Sequence, residues 1–122
     1  MSSIDFIHLT NEFPNDAEAI VRLNSFLSSK TNDKNVNSLS FGLSRIYEIT
    51  KPSSKSVLEK ILSRLVEIGI LKEVYRVISE NDGGIEDFSN FKDIPLVIYD
   101  NIRGAEVEVS VDQIKLYYKL SV

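Results

Sequence analysis

The polar side chains best suited to bind a ligand recur at helical spacing between residues 55 and 67. Four of them fall on one side of a helix when successive residues turn by about 100°: Ser56, Lys60, Ser63 and Arg64. Lysine and arginine donate hydrogen bonds to guanine edges and phosphates, and serine hydroxyls serve either. The pattern therefore indicates a surface for a polyanion such as duplex DNA. Glu59 and Glu67 share this side, which with Lys55 has a net charge of only +1.

Residues for catalysis or metal binding are scarce. Cysteine is absent, which excludes disulfides, zinc fingers and thiol nucleophiles. The single histidine, His8, lies between apolar residues, and no serine has a nucleophile elbow around it. Carboxylates such as Glu106 and Glu108 have neither a histidine partner nor a phosphate-binding loop in the sequence. An enzyme is therefore the least supported class, and we expect no cofactor and no metal.

Charge is divided unevenly along the chain, whose formal net charge is −4. Residues 1–29 have a net charge of −3, residues 30–76 of +4 and residues 77–122 of −5. The basic excess therefore coincides with the candidate ligand-binding helix, and both flanks are acidic. An acidic flank favours a basic partner, because complementary charge directs association.

Two helices and a strand are expected to position the candidate residues. The second helix is predicted at 54–68, where apolar residues occupy one half of its circumference. Pro52 separates it from a helix at 38–49, and Ser53 or Ser54 can cap its first turn. Gly69 suits a left-handed C-terminal cap. A strand over 70–79 is predicted to follow at once, and another helical stripe covers 15–29.

This succession of short helix, turn, second helix, glycine and strand, in LSRIYEITKPSSKSVLEKILSRLVEIGILKEVYRV, resembles the winged helix-turn-helix family. The resemblance implies an α+β fold with three helices, a small antiparallel sheet and an extended wing. It implies a single domain over 1–122. In this interpretation 1–13 is an N-terminal arm, 14–69 the helical part, and 70–122 the strand and an extended acidic wing.

The resemblance implies a small DNA-binding protein, a transcriptional regulator, with helix 54–68 in the major groove. The residues expected to contact DNA comprise the turn, the start of that helix and its exposed side: Lys51, Ser53, Ser54, Lys55, Ser56, Lys60, Ser63 and Arg64. A homodimer on double-stranded DNA is expected, because one short helix gives too little contact for specific binding.

The composition of the wing favours a second interpretation. A wing that contacts phosphate would offer basic residues, whereas here five acids surround the single Lys92 between residues 80 and 93: Glu80, Asp82, Glu86, Asp87 and Asp93. The alternative is a non-enzymatic protein–protein interaction module, such as an adaptor, a subunit or an immunity-type inhibitor. It would present its acidic wing and C-terminal sheet to a basic partner. DNA binding ranks slightly ahead, because the resemblance and the basic excess agree.

Hydropathy predicts no association with a membrane. No apolar run approaches the ~20 residues that span a bilayer, and the first residues, MSSIDFIHLTNEF, lack the pattern of a secretion signal. A cytoplasmic location is therefore expected.

Overall fold

A computed structural model describes residues 3–79 and 83–121. The α-helices of these ranges are α1 (Ser3–Glu12), α2 (Ala17–Thr31), α3 (Leu43–Thr50) and α4 (Lys55–Ile68). The strands are β1 (Phe41–Gly42), β2 (Leu71–Ile78), β3 (Gly84–Phe88), β4 (Val97–Asp100), β5 (Ala105–Glu108) and β6 (Ile114–Leu120). Short 3-10 turns cover Pro14–Asp16, Val36–Ser38, Phe91–Asp93 and Val111–Gln113. The fold is therefore mixed α+β, with four helices and a small antiparallel sheet.

The strands form two groups. One sheet has the order β1, β6, β2, β3, and β4 and β5 form a separate antiparallel pair. β2 pairs with β3 from Tyr75 opposite Phe88 to Ile78 opposite Gly84, with an irregularity after Val77. β2 and β6 are therefore sheet neighbours, although more than thirty residues separate them in the sequence.

The chain divides into two compact units. The first comprises the residues up to Lys72 and those from Tyr118 onward, and the second comprises Glu73–Tyr117. By sequence, the first unit has ten basic and eight acidic residues, a net charge of +2. The second has four basic and ten acidic residues, a net charge of −6. Acidic charge is thus concentrated in the second unit.

The apolar stripes of the helices supply most of the core of the first unit. Its fully buried side chains include residues at helical spacing on α2 and α4: Ile20, Leu23, Leu27, Leu58, Ile61, Leu62 and Leu65. The centre of the apolar half predicted for the second helix is therefore buried, whereas Val57 and Val66 are half-buried and Ile68 is 39% exposed.

The predicted number of three helices is wrong, because residues 3–12 form a fourth helix, α1. The resemblance implied that this segment is an N-terminal arm. Phe6 and Leu9 lie one helical turn apart and are only 5% and 1% exposed. Both pack in the core with Phe13 beside them. Helix formation therefore buries two large apolar side chains on one face, which an alternating strand would separate.

The predicted helix at 38–49 is shorter at its start, because α3 begins at Leu43. Phe41 and Gly42 are extended and form β1. Phe41 is fully buried, and its ring meets the edge of Phe26 at a centroid distance of 5.0 Å. Gly42 therefore precedes the helix, as its extended N-terminal flank, and does not interrupt it.

The second unit contains one buried carboxylate, Asp100, among its described residues. Its Oδ2 accepts a hydrogen bond from the Ser79 hydroxyl at 2.9 Å, and its Oδ1 accepts from the backbone N–H groups of Ile102 at 2.9 Å and Arg103 at 3.1 Å. Burial by itself raises the pKa of Asp100, but these hydrogen bonds favour the ionised form and together lower the pKa below its ordinary value. The carboxylate thus closes the turn between β4 and β5.

We expect the stability of the second unit to fall in acid because of Asp100. Since its folded-state pKa lies below the unfolded value of about 4, its contribution is complete above that pH. The contribution is lost as the pH falls through the folded-state pKa. The urea midpoint of Asp100→Asn should therefore change less than that of wild type between neutral pH and about pH 3. An Asp112→Asn variant, altered at an exposed acid, should behave as wild type; equal pH profiles for wild type and Asp100→Asn would contradict the assignment.

Candidate interface on helix α4

The exposed side of α4 forms a groove with the end of α1. The groove has a volume of about 550 Å³ and is lined by Glu12, Phe13, Ser56, Glu59, Lys60, Ser63, Arg64 and Glu67. The helix therefore brings together the four residues that the spacing placed on one side. Glu12 of α1 adds a carboxylate, so that two basic and three acidic residues line the groove.

Arg64 is held inside this groove by two carboxylates. Its Nε donates to Glu12 Oε2 at 3.1 Å, and its Nη1 donates to Glu67 Oε2 at 2.5 Å. The hydrogen bond to Glu67, and then that to Glu12, raise the pKa of Arg64 above its ordinary value. The guanidinium remains charged, but its charge is balanced locally. A nucleic acid would have to replace these carboxylates to use it.

The two serines at the start of α4 have structural partners. Ser54 is the N-cap, because its Oγ accepts a hydrogen bond from the Val57 N–H at 3.1 Å. Ser53 donates to Asp16 through its backbone N–H at 2.7 Å and through its hydroxyl at 2.9 Å. The sequence prediction of a serine cap is confirmed at Ser54. The Ser53 hydroxyl would have to give up its bond to Asp16 in order to donate to phosphate. The Ser54 hydroxyl only accepts in its capping bond and retains its own hydrogen as a donor.

The turn between α3 and α4 is anchored to α2 at two points. Asp16, immediately before α2, is only 6% exposed and holds Ser53. Arg22 Nε donates at 2.8 Å to the carbonyl of Thr50, the last residue of α3. Arg22 and Asp16 both fall within the helical segment predicted at 15–29. No local signal revealed their partners, which lie 28 and 37 residues away in the chain.

Three lysines of the predicted site are exposed at the turn and on the first half of α4: Lys51, Lys55 and Lys60. Within residues 3–79 and 83–121, none of them has an acidic partner within ion-pair distance. They are therefore the cations of this face that are available to an anionic ligand. The positive end of the α4 dipole adds to their field at the start of the helix.

Lys51 adopts a left-handed backbone conformation, with φ at 50° and ψ at 61°. Within the described part of the chain it is the only residue other than glycine with a positive φ. This conformation costs an L-residue roughly 1 kcal/mol. Its N–H donates to the Tyr47 carbonyl at 2.9 Å and ends α3. The turn thus has a lysine where glycine would fit without strain.

Replacing Lys51 by glycine is expected to stabilise the first unit by about 0.5 kcal/mol, because relief of the left-handed strain exceeds the added freedom of the unfolded chain. Urea unfolding measures the change. Lys60→Gly is the matched control. It makes the same substitution at an exposed lysine inside α4, where glycine should destabilise by about 0.5–1 kcal/mol. A loss of stability in both variants would contradict the strain at Lys51.

The predicted acidic partner-binding residues do not all fall within the described structure. Glu80 and Asp82 lie outside it. Glu86 and Asp87 are successive residues of β3, so their side chains point to opposite faces. Asp87 accepts two hydrogen bonds from Arg76, at 2.7 Å and 3.1 Å, and Asp93 accepts one from Asn90. The three described acids therefore do not form one cluster.

Over residues 3–79 and 83–121, histidine, aspartate and glutamate side chains nowhere form a group of three that could hold a metal ion. None of the described helices has the length and apolar character needed to cross a membrane. Comparisons with protein-family models, with curated proteins and with solved structures found no match for this chain. Its function has to be inferred from the geometry and charge of the described residues.

Proposed function

We propose that this chain is a winged-helix DNA-binding protein, a transcriptional regulator, that places α4 in the major groove of duplex DNA. The observation that carries the proposal is the order of α3, a four-residue turn, α4, Gly69 and β2, with three exposed lysines at the turn and on the first half of α4. A helix-turn-helix motif has this order, and its second helix reads the groove. Adjacent β2 and β6 would be the strands that flank the wing.

The dimensions of α4 suit this role. It has 14 residues, which corresponds to roughly 21 Å of helix, and a major groove about 12 Å wide admits a helix. Lys51 and Lys55 would contact phosphates beside the groove, and Lys60 and Ser56 would face base edges. A homodimer would present two copies of α4 to two half-sites, which adds the contact that one helix lacks.

The salt dependence of binding tests the proposal. We would titrate the protein into a labelled pool of random duplexes and record fluorescence anisotropy at about 50 mM and 200 mM salt. Four phosphate contacts give a log–log slope of about −3.6 and a loss of roughly a hundredfold between these concentrations. Failure to bind at the lower concentration, or binding that does not change with salt, would count against DNA as the ligand.

Carboxylates in the groove should oppose DNA binding. Glu12 and Glu67 hold Arg64 and face the position that the phosphates would take. The pairs are exposed, so they contribute little to folding and are screened by salt. We therefore expect Glu12→Gln with Glu67→Gln to raise DNA affinity by about tenfold at low salt, because two repulsive charges are removed and Arg64 is released.

The matched control for this pair is Glu18→Gln, which removes an exposed charge from α2 in the same unit. It should raise affinity by no more than about twofold. An unchanged affinity in the Glu12 and Glu67 variant would show that DNA, if it binds, does so away from this groove.

The charge of the second unit favours a second candidate function, protein binding. Its net charge is −6, and phosphate would be repelled by it. Large apolar side chains are exposed on β4, including Val97 and Tyr99. A surface that is both apolar and acidic suits a basic protein partner better than it suits DNA.

A further inference from the structure

The β4–β5 hairpin has one buried and one exposed face. Ile98 and Asp100 are buried. Their neighbours Val97 and Tyr99 point to the opposite face, where they are 48% and 60% exposed. Contiguous exposed apolar side chains mark interaction sites more often than single ones do. The exposed face is therefore the feature of the second unit that most needs explanation.

The register places a carboxylate directly opposite each of these apolar residues. Val97 pairs with Glu108, and Tyr99 pairs with Glu106. The backbone N–H of Val109 donates to the Leu96 carbonyl at 2.8 Å. Leu96 and Val109, the pair before Val97 and Glu108, are therefore a hydrogen-bonded pair. The ladder alternates, so the two apolar–acidic pairs are of the non-hydrogen-bonded kind, in which side chains lie closest. Each pair thus combines an apolar surface and a carboxylate at one point.

This combination is suited to basic side chains. An arginine guanidinium can stack on the Tyr99 ring while it donates to the carboxylate of Glu106. The aliphatic stem of a second basic residue can cover Val97 while its charged end meets Glu108. The two pairs lie two residues apart along β4, which equals the spacing of side chains on one face of an extended chain.

We propose that the hairpin face of Val97, Tyr99, Glu106 and Glu108 binds an extended, arginine-containing segment of a partner protein. The inference rests on protein binding, the second candidate function. Charge complementarity identifies the partner, because the unit of net charge −6 attracts a basic segment and repels nucleic acid. Backbone groups of the two pairs point away from the opposite strand, so an extended partner also finds donors and acceptors along the hairpin edge.

The test uses the full chain and a fluorescein-labelled peptide of alternating arginine and valine. Fluorescence anisotropy at low salt should show saturable binding. Tyr99→Ala with Glu106→Gln should weaken it by about tenfold, because ring stacking and a charged hydrogen bond are both lost. The same peptide with lysine in place of arginine should bind less tightly, since an ammonium group cannot stack and bond bidentately.

The matched control is Glu86→Gln with Asp93→Asn, which removes two exposed charges elsewhere in the second unit. It should change peptide affinity by no more than about twofold. An equal loss of peptide affinity in this control would overturn the site, because attraction by net charge would then explain the binding. Absence of peptide binding to wild type would overturn the site, while protein binding by other surfaces of the second unit would be judged by its own assay.

Self-association provides a further outcome. If sedimentation shows a wild-type dimer that the Tyr99 and Glu106 variant loses, the face is a contact between two copies and the proposed partner is wrong. A variant with Lys55→Glu and Lys60→Glu should bind the peptide at least as tightly as wild type does, because it retains all four residues of the hairpin face and removes positive charge. Peptide binding and DNA binding can therefore fail separately.

Discussion

Reversing the charge of Lys55 and Lys60 is expected to weaken duplex DNA binding by about a hundredfold at about 50 mM salt. Both side chains are exposed on the first half of α4, and neither has an acidic partner among the described residues. Lys55 loses a favourable interaction with phosphate, Lys60 loses one with a base edge, and both introduced glutamates repel the DNA. The log–log salt slope should become shallower by about 2, because the homodimer loses the Lys55 phosphate contact in each of its two protomers. Anisotropy titrations at several salt concentrations measure both quantities.

Arg64 is less suitable for this test. Its reversal would also remove the hydrogen bonds to Glu12 and Glu67 and so disturb the groove itself. The matched control is Lys34→Glu with Lys72→Glu, which makes the same change in net charge at two exposed lysines of the same unit away from α4. An equal loss of affinity in the control would mean that DNA responds to net charge and that α4 is not its reader.

Asp16→Ala is expected to destabilise the first unit by about 2–4 kcal/mol. The Asp16 carboxylate is buried and accepts both hydrogen bonds that Ser53 donates. Alanine would remove the acceptor of the backbone N–H and the hydroxyl of Ser53, in the turn between α3 and α4. Urea unfolding measures the loss, and amide hydrogen exchange should show faster exchange of the Ser53 N–H.

Two controls separate the carboxylate from its surroundings. Ser53→Ala removes the hydroxyl but retains the N–H bond, so it should cost only about 0.5–1.5 kcal/mol. Glu18→Ala removes a fully exposed acid two residues after Asp16 and should be nearly neutral. The anchoring role of Asp16 is wrong if its loss is no larger than that of Ser53→Ala.

The lysine variant and Asp16→Ala would affect DNA binding in different ways. Lys55 and Lys60 would act directly on a ligand, whereas Asp16 would act by holding the turn that sets the direction of α4. If Asp16→Ala remains folded at the assay temperature, its DNA affinity should fall by less than that of the lysine variant. The reason is that Lys55 and Lys60, which are proposed to contact DNA, are unchanged in it.

Local sequence signals were sufficient to predict α4, its C-terminal cap and the strand that follows. The helix predicted at 54–68 is observed as Lys55–Ile68, with Ser54 as its N-cap and Gly69 in the left-handed conformation. The strand predicted at 70–79 is observed as Leu71–Ile78. Caps, breakers and hydrophobic period depend on consecutive residues, so the sequence is sufficient to predict them.

The N-terminal segment was ambiguous by the same signals. Apolar residues at 4, 6, 7 and 9 fit both an extended arm and a helix. Packing of Phe6 and Leu9 in the core selects the helix, because tertiary burial outweighs a weak local preference. α1 then supplies Glu12 to the α4 groove, which changes the electrostatics of the candidate site.

The sequence by itself determined where α4 begins and ends, which of its sides is polar, and how charge is distributed along the chain. Only the tertiary structure decided which of those polar groups have partners. Arg64 meets Glu12 across 52 residues of sequence, and Ser53 meets Asp16 across 37. The pairing of Tyr99 with Glu106 depends on the register of the hairpin. Periodicity places a side chain on a face of its own element, but contacts between elements depend on how those elements pack, and no local pattern records this.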